Sequence, residues 1–417
     1  MRCNPFANPL PDAYRAAPIS PYAVNDLALA GLVASPWILA PLATMWRVRR
    51  SRELANESVS VSPGNPLVSV IVPARDERRN IESCVRSILA GDYGHIEVVV
   101  VDDRSTDGTG DLVRAIARDD ARLTLVDNPP LPDGWFGKPW ACATGARAAR
   151  GDILCFTDAD ARHGPHLVAR AVNAMRARQL DMLSVAGHQE LGSFWERIVQ
   201  PHVFWMIASR YGGTESINQS TKAEDKIANG QCILVRRSAY ESIGGHDAVR
   251  DQVAEDVALA QRMFAAGTRT ELILGRDELT TRMYTSLGEI IAGWRKNVFA
   301  GGREAMPWGR VGQLIFPALL LLPPLVTLVP PLVLLVAALA GEPRWLTLAA
   351  AIAFAAQVGT WAAVYRWMGA PMRFALLFPL GSAVFAIIAI QAIARGSRVE
   401  WKGRAYLTTS SAQHRSR

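Results

Sequence analysis

The sequence predicts an α/β domain with a mostly parallel, buried sheet, set between segments that span a membrane. Three observations predict it. Uncharged apolar runs lie toward both ends of the chain. Between them, short β-branched runs alternate with stretches of helical period. Acidic residues stand just past the ends of those β-branched runs.

The 417 residues suffice for one large or two ordinary domains. Half of them are hydrophobic and the mean hydropathy is +0.10, which directs attention to membrane segments first. The net charge of +7 is unevenly spread. Arg47, Arg49, Arg50 and Arg52 follow one apolar run; Arg395, Arg398, Lys402 and Arg404 follow another. Basic clusters beside apolar segments point to a membrane surface. With no nucleic-acid-binding module in the chain, they argue against a nucleic-acid partner. Five cysteines, none at CxxC spacing, argue against a zinc site and fit reduced thiols facing the cytosol.

Residues 1–26 read as a polar to mixed, proline-rich tail without the charged start of a secretory signal. Residues 27–46 carry no charge and are long enough to span, with Pro36 and Pro41 placed to kink them. The arginines that follow favour a cytoplasmic location for the next domain. Residues 47–65 form a basic linker, and residues 66–310 the α/β domain. LVSVIV (67–72), EVVVV (97–101), LTLV (123–126) and ILCF (153–156) read as strands, with helices over 78–90 and 108–119. Near-continuous apolar strands separated by helices imply a parallel sheet covered on both faces.

Residues 313–394 hold three further apolar stretches, 313–340, 345–365 and 374–394. The first contains Pro323, Pro324, Pro330 and Pro331 and reads as broken or re-entrant. Residues 395–417 form a basic tail. Four crossings with a cytosolic domain would leave that tail outside, yet it carries six lysines and arginines after residue 394, which argues for inside. One way out is that 313–340 does not cross.

Chemistry is concentrated at the strand ends, where open α/β sheets bind ligands. In VIVPARDE (70–77) a strand stops at Pro73, leaving Arg75, Asp76 and Glu77 in the following loop; ordinary loop charge is the plainer reading. In VVVVDDRSTDGT (98–109) Asp102 and Asp103 end a buried strand, which is costly unless a cation or donor meets them. Ser105, Thr106 and Asp107 are good helix caps, and capping explains Asp107 better than Asp102 and Asp103. In ILCFTDADA (153–161) Asp158 and Asp160 stand two apart, able to aim oxygens at one Mg²⁺ or Mn²⁺. Glu255 and Asp256 begin an apolar helix-like run; the helix dipole favours them there, and either can act as a general base, with Asp256 the better candidate. Lys138 in GWFGKPWAC (134–142) is placed to meet a diphosphate or to be a plain surface lysine. Arg295 in GWRKN (293–297) is placed to neutralise a leaving diphosphate or to snorkel at an interface. The histidines share no ligand spacing and read as structural.

The ordered set PARDE, VVDDRSTDGT, GKPWA, TDAD, GGHD with AEDVALAQRM, then WRKN, resembles the family 2 glycosyltransferases of GT-A fold over about residues 66–300. The membrane segments and the W-K-G-R-x-Y ending (401–406) resemble the subgroup acting on isoprenoid lipids, the hopene-associated and carotenoid glycosyltransferases. The resemblance implies a UDP- or GDP-sugar donor and an inverting single displacement to a membrane lipid hydroxyl. It places the nucleotide near Pro73, Arg75, Glu77, Asp103, Lys138 and Asp158, the metal on Asp160 and the catalytic base at Asp256. It also implies a multi-pass protein of the bacterial cell membrane with its catalytic domain facing the cytoplasm. Processive members carry Q-x-x-R-W where this chain has G-W-R-K-N, which favours single transfer. The alternatives are a polyprenyl-phosphate sugar synthase, an exported-polysaccharide synthase, or an inactive lipid-handling scaffold.

Overall fold

The computed structural model describes residues 21–60, 64–304, 306, 309–340, 344–396, 398–401 and 404–407. Most of the expected 1–26 tail, the last ten residues and two positions of the W-K-G-R-x-Y ending lie outside them. The chain divides into two units, residues 1–40 with 329–357, and residues 41–328 with 358–417. The first unit consists of apolar helix throughout its described part.

In the second unit, seven strands form one sheet: β1 (Val68–Ala74), β2 (Ile96–Asp102), β3 (Leu123–Asp127), β4 (Ile153–Phe156), β6 (Met182–Ala186), β8 (Ile233–Arg236) and β9 (Thr270–Leu274), ordered β3-β2-β1-β4-β8-β6-β9. Only β8 runs antiparallel to its neighbours. Alternation along the strands explains the two-sided burial. Val70, Val72, Val98 and Val100 enter the core on one face with α3 (Ile81–Leu89), α4 (Thr109–Asp119) and α6 (Leu167–Ala177). Ile71, Val99 and Val101 enter the other with α5 (Gly137–Ala148), α9 (Arg237–Ser242) and α10 (Glu255–Ala265). Each such side chain, fully withdrawn from water, contributes about 1.5–3 kcal/mol of transfer free energy.

The four expected strands are present, and β1 corrects one detail. It does not stop at Val72 but runs through Pro73 to Ala74. Ile71 accepts from Thr157 N–H on the β4 side, so Pro73, two residues on, turns its missing N–H toward the space beyond the end of β4. A proline costs no ladder bond there. A second small sheet, β5 (Ala161–His163), β10 (Leu279–Thr281) and β7 (His188–Gln189), was not foreseen. Its strands are two or three residues long, too short for a periodic signal.

The expected 27–46 segment is two helices, α1 (Pro21–Ala34) and α2 (Pro36–Val48), bent by 44°. The bend falls at Ser35, immediately before Pro36, whereas Pro41 lies inside α2. The expectation that 313–340 is broken is corrected: α12 (Arg310–Ala340) is one helix of 31 residues containing Pro317 as well as those four prolines. Apolar segments accommodate internal prolines through local adjustment of the helix.

α13 (Arg344–Trp367) follows, then a 3₁₀ stretch (Met372–Leu377) and α14 (Phe378–Arg395). Three helices are long and apolar enough to cross a membrane, or four counting the bent pair. α14 packs on α7 (Phe194–Tyr211) and α11 (Leu287–Glu304) of the same unit. His202 of α7 bonds through Nε2 to Phe378 O at 3.1 Å and lies against Gly381, where a side chain would collide with it. The remaining helix, α8 (Thr214–Gln219), lies beside β9, and a hairpin, β11 (Arg398–Trp401) with β12 (Arg404–Leu407), ends the described chain.

Candidate active site

Parallel strands deliver their carboxyl ends to one edge, and β1, β2 and β4 bring the predicted acidic loops together there. The loops after β1 and β2 are laced to each other. Asp76 (φ 52°) donates its N–H to Ser105 Oγ and accepts from Thr106 N–H; Glu77 N–H donates to Thr109 Oγ1; Arg78 N–H donates to Asp107 Oδ2. Arg104 also sits at positive φ (61°). Two non-glycine residues in the left-handed region show a backbone held in place by this lacing.

The two aspartates after β2 face different ways. Asp102 Oδ1 accepts from Ser105 N–H at 3.0 Å, closing the turn into α4. Asp103, 1% exposed, meets Arg75: the guanidinium donates to Asp103 O at 2.7 Å and lies 3.7 Å from its carboxylate, while Asn128 Nδ2 donates to Oδ1 at 3.0 Å. Arg75, Asp103 and Asn128 therefore form one polar corner, of which sequence reasoning missed Asn128.

A cleft beside this corner is lined by Pro73, Lys138, Asp158, Glu255 and Asp256, together with Phe156, Gly230, Ile233 and His246. Lys138, in the first turn of α5, bridges two carboxylates, with Nζ 2.7 Å from Asp158 Oδ1 and 2.7 Å from Glu255 Oε1. Burial works against its charge, but Asp158, Glu255 and Asp256 outweigh it and hold the ammonium well above the usual lysine value. Asp256 stands at the N-terminus of α10, where Gly230 N–H donates to its Oδ2 at 2.9 Å. Burial and the adjacent Glu255 push its carboxyl up to about 6.

Asp160 lies two residues past Asp158, and its carboxyl is pushed up to about 7 by burial, then by Asp158, then by Glu77. Thr157 fixes this loop: its hydroxyl donates to Gln231 O at 2.6 Å and stands 2.9 Å from His163 Nε2. Burial alone keeps His163 neutral, near 4. Among the described residues no cluster of three or more His, Cys, Asp or Glu side chains is poised to hold a metal. The residues present nevertheless fit a hard divalent cation. Burial and the Asp158 and Glu77 carboxylates outweigh the Lys138 charge at Asp160, all three carboxylates are oxygen donors, and Mg²⁺-type sites take one or two protein carboxylates and complete their shell with water and substrate phosphate.

Of the predicted residues, Pro73, Lys138, Asp158, Glu255 and Asp256 line this cleft, and Arg75, Glu77, Asp102, Asp103, Asp160 and Arg295 are not among its lining residues. The Arg295 guanidinium donates to Gln391 Oε1 of α14 at 3.3 Å. From the same stretch Trp294, 6% exposed, packs on Tyr284 and Phe204. Burial, then Asp160 and Asp158, push the Tyr284 phenol up. Sequence reasoning also missed Gly230. A Cβ there would lie 2.9 Å from Lys138 Nζ and 3.2 Å from Asp256 Oδ2, so a larger residue would push on both groups.

Residues 69–244 match the family model described as Glycosyl transferase family 2. The chain carries a family 2 glycosyltransferase domain. The match spans β1 through α9, with the acidic loops after β1, β2 and β4 inside it. The chain is 27% identical over 247 residues, 58% of its length and 63% of the relative's, to a 4,4'-diaponeurosporenoate glycosyltransferase of Staphylococcus haemolyticus. It is 27% identical over 212 residues, 48% of its length and 47% of the relative's, to the probable glycosyltransferase YdaM of Bacillus subtilis. The matched stretch spans less than two thirds of either relative. Among solved structures, the mannosyltransferase PcManGT from Pyrobaculum calidifontis, in complex with GDP-Man and Mn²⁺, is similar with a TM-score of 0.54 at 25% identity, over 89% of this chain and 98% of that one. The family 2 domain thus has the GT-A arrangement, a mostly parallel α/β sheet, with apolar helices attached.

Proposed function

We propose that this chain transfers a single sugar, with inversion, from a metal-bound nucleoside diphosphate sugar to a hydroxyl of a membrane lipid of isoprenoid type. One observation carries the reading: Lys138 joins Asp158 of the acidic loop to Glu255, the neighbour of Asp256, so that donor-side and base-side carboxylates share one cleft. The similarity to a structure holding GDP-Man and Mn²⁺ supports the donor and the metal. The similarity to a carotenoid glycosyltransferase, and the apolar helices, support the acceptor.

In this reading Arg75 and Asp103 hold the nucleoside, and Lys138 faces the diphosphate. Asp160, with Asp158, holds Mg²⁺ or Mn²⁺, which when bound neutralises charge on the departing diphosphate. Asp256 takes the proton of the acceptor hydroxyl as its oxygen bonds to the anomeric carbon and the bond to the diphosphate breaks. A carboxyl raised to about 6 remains largely ionised at neutral pH and is a stronger base than an ordinary aspartate. The test is transfer of label from UDP-glucose or GDP-mannose into extracted lipid by membranes containing the protein. Label in a carotenoid- or hopanoid-like lipid supports the proposal. Label in a lipid phosphate or a polymer replaces it with a synthase reading. In Asp256→Asn, transfer falls by about 10²–10⁴-fold while donor binding stays; normal transfer would place the base elsewhere.

The proposed location is a cell membrane with the family 2 domain in the cytoplasm. Among the described residues the free thiols Cys84, Cys142, Cys155 and Cys232 are buried and unbonded, although Cys155 and Cys232 lie 3.8 Å apart, which suits a reducing compartment. α14 bears on the conflict over the C-terminus. Half of the apolar window spanning Met372–Arg395 is buried, against 17% for α12, and α14 is fastened to α7. This supports α14, rather than α12, as the segment that does not cross, leaving the basic tail on the cytoplasmic side.

A further inference from the structure

The sequence set His246 aside as structural, but its surroundings give it a defined chemical face. Gly244 and Gly245 both adopt positive φ (82° and 55°), and a Cβ on Gly245 would come within 2.6 Å of the Tyr240 ring. Only glycine lets the chain pass that close, and the result is a two-point hold. His246 N–H donates to Tyr240 Oη at 3.0 Å, and Tyr240 Oη lies 2.8 Å from His246 Nδ1. The hydroxyl accepts from the backbone, and Nδ1 is the acceptor that its own proton meets among the described residues. That assignment puts the imidazole proton on Nε2. Burial, then the Lys138 charge, keep the ring neutral, near 3. The ring stands edge-on to Phe156, 4.6 Å between centroids, and lines the cleft with Lys138, Asp158, Glu255 and Asp256. His246 is 3% exposed, and its Nε2–H has no protein partner among the described residues.

We propose that the Nε2–H of His246, oriented by Tyr240, donates a hydrogen bond to a hydroxyl of the donor's sugar ring and contributes to selection of that sugar. This deepens the proposed function and rests on it. The ligand class follows from what the wall offers. Lys138 takes one oxygen each of Asp158 and Glu255 and is the phosphate-facing group; the second carboxylate oxygens are acceptors and Nε2–H is a neutral donor, and a hydroxyl donates to the first kind and accepts from the second. Phe156, Ile233 and Pro73 supply apolar surface for the carbon face of the ring.

The test is calorimetric titration of the detergent-solubilised full chain, with Mn²⁺, by the pairs UDP and UDP-glucose, GDP and GDP-mannose. If the wild type binds neither nucleotides nor nucleotide sugars, the donor reading itself fails. If it binds them, the variants decide the present proposal. His246→Phe keeps the ring packing on Phe156 and removes the donor; it is expected to weaken the nucleotide sugar about tenfold while leaving the free nucleotide unchanged. His246→Gln, which restores an N–H, recovers part of the loss. Tyr240→Phe, which frees the tautomer, gives a smaller loss of the same sugar-dependent kind. Unchanged nucleotide-sugar affinity in His246→Phe, or equal weakening of nucleotide and nucleotide sugar, overturns the proposal. If His246→Phe does not fold, Tyr240→Phe decides: a sugar-dependent loss supports the proposal and none overturns it.

Discussion

The Lys138 ammonium lies 2.7 Å from Glu255, tying the first turn of α5 to the first turn of α10. It is the cation facing three carboxylates in the cleft, and its charge holds down the pKa of Asp256 against burial and Glu255. Removing it as Lys138→Met is expected to shift the acid limb of the pH–rate profile upward from about 6, because Asp256 then ionises less readily. At neutral pH the base would be largely protonated, adding to the loss of a diphosphate contact. A kcat/KM profile over pH 5–9 checks this. An unmoved limb would mean that Asp256 does not govern it.

Asp160 and Asp256 both have carboxyls raised above the ordinary range, to about 7 and about 6. The folded protein then binds more protons than the unfolded chain between their ordinary values and these raised ones. The stability that protonation confers is present at low pH and lost as pH rises through 6 to 7. Mn²⁺ or Mg²⁺ is expected to restore it, raising the melting temperature more at pH 8 than at pH 5. In Asp160→Asn the metal-dependent rise disappears, and the metal-free protein melts no lower than the wild type, since the substitution removes a repulsion. A metal effect that survives in Asp160→Asn would remove this residue from the site.

Gly230 tests whether cleft geometry or mere presence of the charges matters. The Cβ of Gly230→Ala would press on Lys138 Nζ, which is mobile enough to move, so the fold should tolerate it. Transfer is expected to drop by about a hundredfold, as for ångström-scale misplacement of reacting groups, with the melting temperature little changed. Calorimetric melting and an initial-rate assay separate the two effects.

The position of the C-terminus can be read by thiol labelling. A cysteine appended after Arg417 should react with an impermeant maleimide only in inside-out vesicles, as should one at exposed Arg79 in the family 2 domain. Labelling of the appended cysteine in right-side-out vesicles would show that α14 crosses.

Much of this arrangement was legible because the signals were local. VSVIV, VVVV and ILCF mark themselves as strands, and the acidic residues after them gather at one edge of the sheet, Asp158 lining the cleft. Asp256 and Lys138 were legible as residue types, but their meeting was not, since it depends on how α5 and α10 fold over one face of the sheet. Gly230 and His246 were missed for the same reason: neither has a local signature, and each matters through what lies opposite it. Arg295 was read as a diphosphate or interfacial residue from its position before a membrane segment; its hydrogen bond to Gln391 of α14 is a long-range contact with no local sign. The prolines of α12 misled because soluble-helix rules were applied to an apolar segment.

The seat of Gly381 against His202 carries a practical corollary for anyone shortening this protein. A chain trimmed after α11 to free the sugar-handling domain would uncover the apolar sides of α7 and α11, among them the surface around Ile198 and Val298. Such a fragment would clump rather than dissolve. A workable truncation must instead keep α14 together with the end of α13, whose Trp361 stacks on His202 and whose Tyr365 hydroxyl donates to Arg197 O of α7.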